Sequence, residues 1–251
     1  MSTASQLHYL PSTAEIRETF ANEITGIGGT VPDVYDDGER LFARAVLPND
    51  AEVRPGDRVR AGVALRVAGP VALIHPYTFR QVCSNGAIVA HALQTRHVAR
   101  VEDWGWPAPE LEAEVALAEL RAAVRTSAAA EAFATVADEL RSAAEVEADL
   151  TIHLMPALAG MPRDTAATVL RRVVPRFEAG GDRSAFGLLN AVTSVARDTR
   201  DPETRWRLEE LGGTMPARLL PKPKRTAPAA VLVGASAVSA VEPTNVDWGV
   251  R

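Results

Sequence analysis

Cysteine is almost missing from this chain. Cys83 is the only one in 251 residues, so no internal disulfide can form and a reducing, cytoplasmic location is expected. Lysine is nearly as scarce: Lys222 and Lys224 stand beside 25 arginines, a bias read as coding composition rather than function. Aromatic residues make up 5%, which leaves alanine and valine to do much of the apolar packing. No run approaches the roughly 20 apolar residues of a membrane span, and MSTASQLHYLPSTAEI has no basic segment leading into an apolar core. Neither a membrane association nor a secretory signal is therefore expected. Motifs of chemistry are also lacking. There is no GxxxxGK[ST], CxxC or HExxH, and no paired carboxylates or nucleophile triad can be placed. An enzyme is thus the third-ranked reading, with no cofactor and no metal expected.

What is present is a chain of 47% hydrophobic and 24% charged residues, enough for one sizeable core or two small ones. Its net charge of −5 hides a segregation into blocks: −6 over 1–39, +6 over 40–100, −9 over 101–160, +5 over 161–225 and −1 beyond. A total near neutrality can still present a basic surface.

Ser12-Thr13-Ala14-Glu15 is a capping box opening a short helix with Ile16, Phe20 and Ile24 on one face. Gly26 to Glu39, GIGGTVPDVYDDGE, reads as a loop from its Gly, Pro and Asp content. Strands follow over Arg40–Leu47, Asp57–Ala68 and Val71–Ile74, separated by Arg54–Asp57 and Gly69-Pro70 turns. The second alternates most clearly, with Val59, Ala61, Val63, Leu65 and Val67 toward the core and Arg58, Arg60 and Arg66 on the other face.

The stretch His75 to Arg100, HPYTFRQVCSNGAIVAHALQTRHVAR, predicts a central helix over 76–99. Pro76 suits a first helical position, and Phe79, Val82, Cys83, Gly86, Ala90, Leu93 and His97 recur by threes and fours. Arg80, Gln81, Ser84 and Asn85 fall on the opposite face. Helices are then expected over 110–125, 127–150, 164–174, 182–197 and from Pro202 to Gly212-Gly213, with a low-complexity tail beyond.

The run PYTFRQVCSNG resembles the Arg–x–Val–Cys–x–Asn–Gly/Thr motif of domain-of-unknown-function family 932, prokaryotic proteins often encoded by phages and plasmids. LLNAVTSVARDTRDPETRWRLEELGG, Leu188 to Gly213, resembles that family's asparagine–alanine helix. The resemblance implies a mobile-element association and supports a fold more than an activity.

Three sets of residues are candidates for function. Cys83 with His75, His91 and His97 invites a metal reading, but His91 and His97 are six apart, so one helix face does not present both. Arg80, Ser84, Asn85 and, in the second motif, Asn190 are polar residues of the two motifs, suited to a phosphate or substrate contact or to bonding a neighbouring loop or subunit. Arg40, Arg44, Arg58, Arg60 and Arg66 would project from one sheet face, a platform for phosphate backbones, with Phe42 as a stacking surface. The competing reading has that face neutralised by the acidic helices of 110–150.

The expected fold is α+β: a small antiparallel sheet with a strand-strand-strand-helix core in residues 1–103, a helical subdomain in 104–213, and a disordered tail in 214–251. The strand-strand-strand-helix order is similar to the core of ring-forming single-strand annealing proteins, a fold-level analogy only. The leading function is a non-enzymatic nucleic-acid-binding protein of mobile elements, binding or annealing single strands in recombination or replication and acting as a homo-oligomer. The alternative is a structural or regulatory module that binds a protein partner through its acidic helices. Exposure of the five sheet arginines separates the two.

Overall fold

The computed structural model describes residues 11–69, 71–80, 85–88, 96–99 and 109–219. The fold is α+β, as the sequence implies, and begins with α1, Thr13–Gly26. Its capping box forms: the Glu15 amide donates to Ser12 Oγ at 3.2 Å and the Ser12 amide to Glu15 Oε2 at 2.8 Å.

Six antiparallel strands follow. They are β1 Thr30–Asp36, β2 Arg40–Arg54, β3 Asp57–Ala68, β4 Val71–Arg80, β5 Asn85–Ile88 and β6 Arg96–Ala99. The order is β1-β2-β3-β4, with β5 and β6 both pairing the outer side of β4. Two sequence expectations are corrected here. The Gly26–Glu39 loop contains β1, an edge strand whose register shifts between Thr30 and Asp33, around Val31 and Pro32. An edge tolerates proline and a bulge because one side needs no ladder.

The central helix over 76–99 does not form. β4 runs straight through Pro76 to Arg80, and β5 and β6 occupy the rest of the described stretch. Among the described residues β6 pairs β4 only as far as Ile74 and β5 only from Tyr77, so none of them pairs Pro76 on that side. Within β4 the residues alternate as in a strand: Ile74, Pro76 and Thr78 lie on one side, His75, Tyr77 and Phe79 on the other.

Helices α2 Pro109–Ser127 and α3 Ala130–Glu145 come next, then a π-helical turn at Leu150–Leu154 and the short α4, Met155–Leu158. α5 Arg163–Ala179, α6 Ala185–Arg197 and α7 Pro202–Leu219 complete the described chain. α7 continues six residues past Gly213, correcting the expected stop, and buries Met215. The glycine pair lets helices approach rather than ending one: a Cβ on Gly212 would stand 2.7 Å from Thr193 Cγ2 of α6.

The valine face of β3 is covered by α1 and α2, not by a central helix. Ile16, Phe20, Leu117 and Leu120 pack there on Leu41, Val63 and Leu65. The expected boundary at 103/104 therefore divides elements that share a core, and the compact unit extends to Pro221. A short second unit, 222–251, lies outside the described residues. On the opposite sheet face Phe42, Ala64, Tyr77 and Ile88 receive Trp206 of α7. α3, α5, α6 and α7 build a further core around Phe186, Leu188 and Val192. No helix among the described residues is long and apolar enough to cross a membrane.

Candidate functional site

The two alternations read from the sequence do share a face. Phe42 pairs Arg66 across the ladder and Arg44 pairs Ala64. That face is not open. α7 crosses it and brings Glu203, Arg205, Trp206 and Glu209 onto it. Phe42 is wholly buried, edge-on to Trp206 at 6.1 Å, so it offers no stacking surface.

Arg44 is the centre of a closed ring of four charges. Its Nε donates to Glu209 Oε2 at 2.7 Å and its Nη1 to Asp33 Oδ2 at 3.3 Å. Arg205 closes the ring, 2.6 Å from Asp33 and 3.1 Å from Glu209. The Arg44 and Glu209 side chains are 4% and 2% exposed, so solvent and any phosphate are kept out. Burial pushes the Glu209 carboxyl up, against the pull of Arg44 and Arg205, and burial likewise pushes the nearby Tyr77 hydroxyl up.

The other sheet arginines are engaged individually. Arg66 makes a two-pronged contact with Glu203, both bonds 3.0 Å, and lies 5.9 Å from the centre of the Phe42 ring. Arg40 holds Asp37 at 2.7 Å on the surface. Arg58 holds Asp50 at 2.7 Å and stays half exposed, while Arg60 Nε donates to the Leu47 carbonyl at 3.0 Å. Of the platform expected from sequence, Arg44, Arg66 and Phe42 are therefore interior or covered. Arg40, Arg58 and Arg60 lie at its periphery.

The acids that neutralise this face come from β1, the β2–β3 hairpin and α7, not from 110–150. Glu114, Glu119, Glu131, Asp138, Glu145 and Glu147 all face outward on and after α2 and α3.

The two motif segments meet. Arg80 and Asn85 are cross-strand partners on β4 and β5, and α6 lays Asn190 beside Arg80 and Gly86. Thr78, Arg80, Gly86, Phe186, Asn190 and Thr193 line a shared cavity of about 10 Å³, room for about one water. Arg80 is held by Asp57 at 2.5 and 2.7 Å and lies 5.6 Å from the Phe186 ring centre. This geometry fixes α6 against the sheet, and the space is too small for a ligand.

Gly86 belongs to β5, where its close approach is to the Tyr77 ring. Ser84, Cys83 and His91 lie outside the described residues, and of His97 only the backbone pairing to Leu73 is described. His75 packs at 5.8 Å on Trp206. Among the described residues no group of three or more His, Cys, Asp or Glu could hold a metal ion. An open cleft of about 480 Å³ between α1 and β1 is lined by Ala14, Phe20, Ala21, Val31 and Val34, with only Arg17 and Glu18 as charged groups.

Sequence reasoning missed Asp33, Arg205, Trp206 and Glu209. The i, i+4 spacing of Arg205 and Glu209 on a capped helix was legible as a pair, but its two partners on β1 and β2 were not. Comparison with known proteins found no matching family model, no matching curated protein and no matching solved structure.

Proposed function

We propose that this chain is a non-enzymatic protein-interaction module that meets a basic partner through α2, α3 and the turn that follows them. The observation that supports this reading is the destination of the charges. The sheet arginines are satisfied by α7 and the strands, and Glu114, Glu119, Glu131 and Glu145 point outward on α2 and α3, with Asp138 exposed while pairing Arg141 of its own helix at 2.6 Å. Glu131, Asp138 and Glu145 recur every seven residues, about two helical turns, and so form one stripe along α3.

Apolar anchors adjoin that stripe. Ile152 is 66% exposed and Met155 47%, directly after Glu145, Glu147 and Asp149, and Val115 is 44% exposed on α2 beside Glu114. Large apolar side chains inside a charged rim are the usual composition of a contact centre. A partner that fits has an apolar socket rimmed by arginine or lysine, and a second copy of this chain is among the surfaces of that chemistry. A phage- or plasmid-associated role in recombination or replication, in the cytoplasm, belongs to the same proposal and rests on the two motifs alone. On the sheet face Arg44, Arg66 and Phe42 are covered by α7, which leaves only Arg40, Arg58 and Arg60 at its periphery for a nucleic-acid contact.

Affinity capture from host lysate at about 150 mM salt tests this reading. The full-length chain is compared with Glu131→Gln/Asp138→Asn/Glu145→Gln and with Ile152→Ser/Met155→Ser. Basic partners should be retained by the wild type and reduced at least tenfold, about 1.4 kcal/mol, by each variant. Identical capture by all three, with unchanged melting curves, would contradict it.

A further inference from the structure

A second concentration of charge, of opposite sign, lies on the helical half. α5 and the end of α6 bring Arg172, Arg176 and Arg197 onto Asp198 and Thr199, with the exposed Arg171 and Arg200 next to them in the chain. Arg176 Nη2 is 2.5 Å from Asp198 Oδ2 and Arg197 Nε is 3.2 Å from its Oδ1, so one acid serves two guanidiniums. Arg172 reaches across to the Thr199 hydroxyl at 3.5 Å, and Arg171 holds only the Thr168 hydroxyl at 3.2 Å. Arg200 is exposed and, among the described residues, has no ion pair. Asp201 turns away from the group to cap α7, accepting from the Thr204 amide at 2.7 Å. A further mark of unmet demand is Arg176 Nη1, a buried donor with no partner among the described residues.

From this arrangement we infer that the α5 and α6–α7 turn surface binds the phosphodiester backbone of duplex nucleic acid. Guanidiniums fork onto phosphate oxygens in pairs, which a lone lysine cannot do. Arg171, Arg172 and Arg200 hold hydroxyls or nothing and can exchange these for phosphate without stranding a carboxylate. The choice of duplex follows from what surrounds them. Among the described residues the exposed large apolar side chains are Val34, Tyr35, Val115, Ile152 and Met155, none in this group, so no described aromatic offers the stacking that single-strand binders use. For the same reason nothing there would insert into a lipid surface. The inference does not depend on the acidic-helix reading, since the two surfaces share no residue.

The test is fluorescence anisotropy on the full chain with a labelled 20-base-pair duplex, the matching single strand, and vesicles containing phosphatidylserine. Wild type and Arg171→Gln/Arg172→Gln/Arg200→Gln are compared across a salt series from about 50 mM. The wild type should bind duplex at least as well as single strand. Each neutralised phosphate adds about 0.9 to the logarithmic salt slope on duplex, so the triple variant should flatten it by about 2 to 3 units. Lys222, Lys224 and Arg225 are common to both proteins and cannot produce that difference. The inference is overturned if the folded wild type does not bind duplex, if the triple variant keeps its slope, if the single strand is preferred more than tenfold, or if only the vesicles bind.

Discussion

Arg44 and Glu209 are 165 residues apart in sequence and 2.7 Å apart in the fold, both side chains almost completely buried. One is on a central strand of the sheet and the other on the last described helix. Their pairing, with Asp33 and Arg205, converts what looks in the sequence like an exposed basic face into an interior seam. Buried ion pairs contribute little net stability over well-packed apolar residues, but removing one partner is costly. The ring therefore specifies where α7 lies more than it strengthens the fold.

The sheet arginines should now separate into two classes. Arg66→Gln loses the two-pronged Glu203 contact and the Phe42 contact, at about 1–2 kcal/mol. Arg58→Gln loses one half-exposed pair and should change stability by less than about 0.5 kcal/mol. Urea denaturation of both variants checks this; equal effects would mean that α7 does not cover Arg66.

Glu210 gives a pH signature with a definite sign. Burial pushes its carboxyl up, Arg66 offsets part of that, and Glu203 adds to it. A folded carboxyl that binds its proton more tightly than the unfolded one adds stability at low pH. That stability is lost as pH rises from the unfolded value, about 4.3, through the folded one. Glu210→Gln should therefore raise the melting temperature at pH 7 and leave it unchanged at pH 3. Asp182 behaves oppositely: burial raises it, but hydrogen bonds from Ser184 and the Arg54 charge hold it below the usual range. Its contribution is present above about pH 4 and fades below, so Asp182→Asn should lower stability at pH 7 and not at pH 2. Thermal melts across that range distinguish both variants.

Gly86→Ala places a methyl carbon 2.7 Å from Tyr77 Cε2, inside the ring's contact distance. Tyr77 is buried and cannot swing out, so overpacking should cost about 1–3 kcal/mol. A variant as stable as wild type by chemical denaturation would show that β5 does not pair Tyr77 as described.

Ending the chain after Gly213 removes the last turn and a half of α7 and the fully buried Met215. Loss of a core methionine is worth about 2–5 kcal/mol, so this chain should melt several degrees below one ended after Pro221. Equal melting temperatures by circular dichroism would show that the turns after Gly213 are dispensable.

Much of the architecture was readable because it rests on local rules. The Ser12 capping box, the period-two run of β3 and the Asp201-Pro202 helix start need no distant partner to act. The failures have one cause. In 76–99 the spacing of Phe79, Val82, Cys83 and Gly86 is helical in itself, and only the edge that β3 offers makes a strand of 76–80, where Pro76 sits as readily as at a helix start. Gly212-Gly213 reads as a helix stop from sequence because Thr193, which the glycines let α6 bring close, is nineteen residues upstream. The arginine face was placed correctly, since Phe42 and Arg66 do pair across it. Its cover could not be read, because Glu209 declares its role only once α7 is folded back onto β2.

A double-mutant cycle on Arg44 and Glu209 measures whether α7 closes the arginine face. Arg44→Met, Glu209→Met and the double variant are compared with wild type by urea unfolding. Each single change strands a buried charge and should cost about 3–5 kcal/mol, while the double change should recover most of it, a coupling of at least about 2 kcal/mol. Single effects that simply add, to within about 0.5 kcal/mol, would mean that Arg44 and Glu209 do not meet, and that the arginine face is open after all.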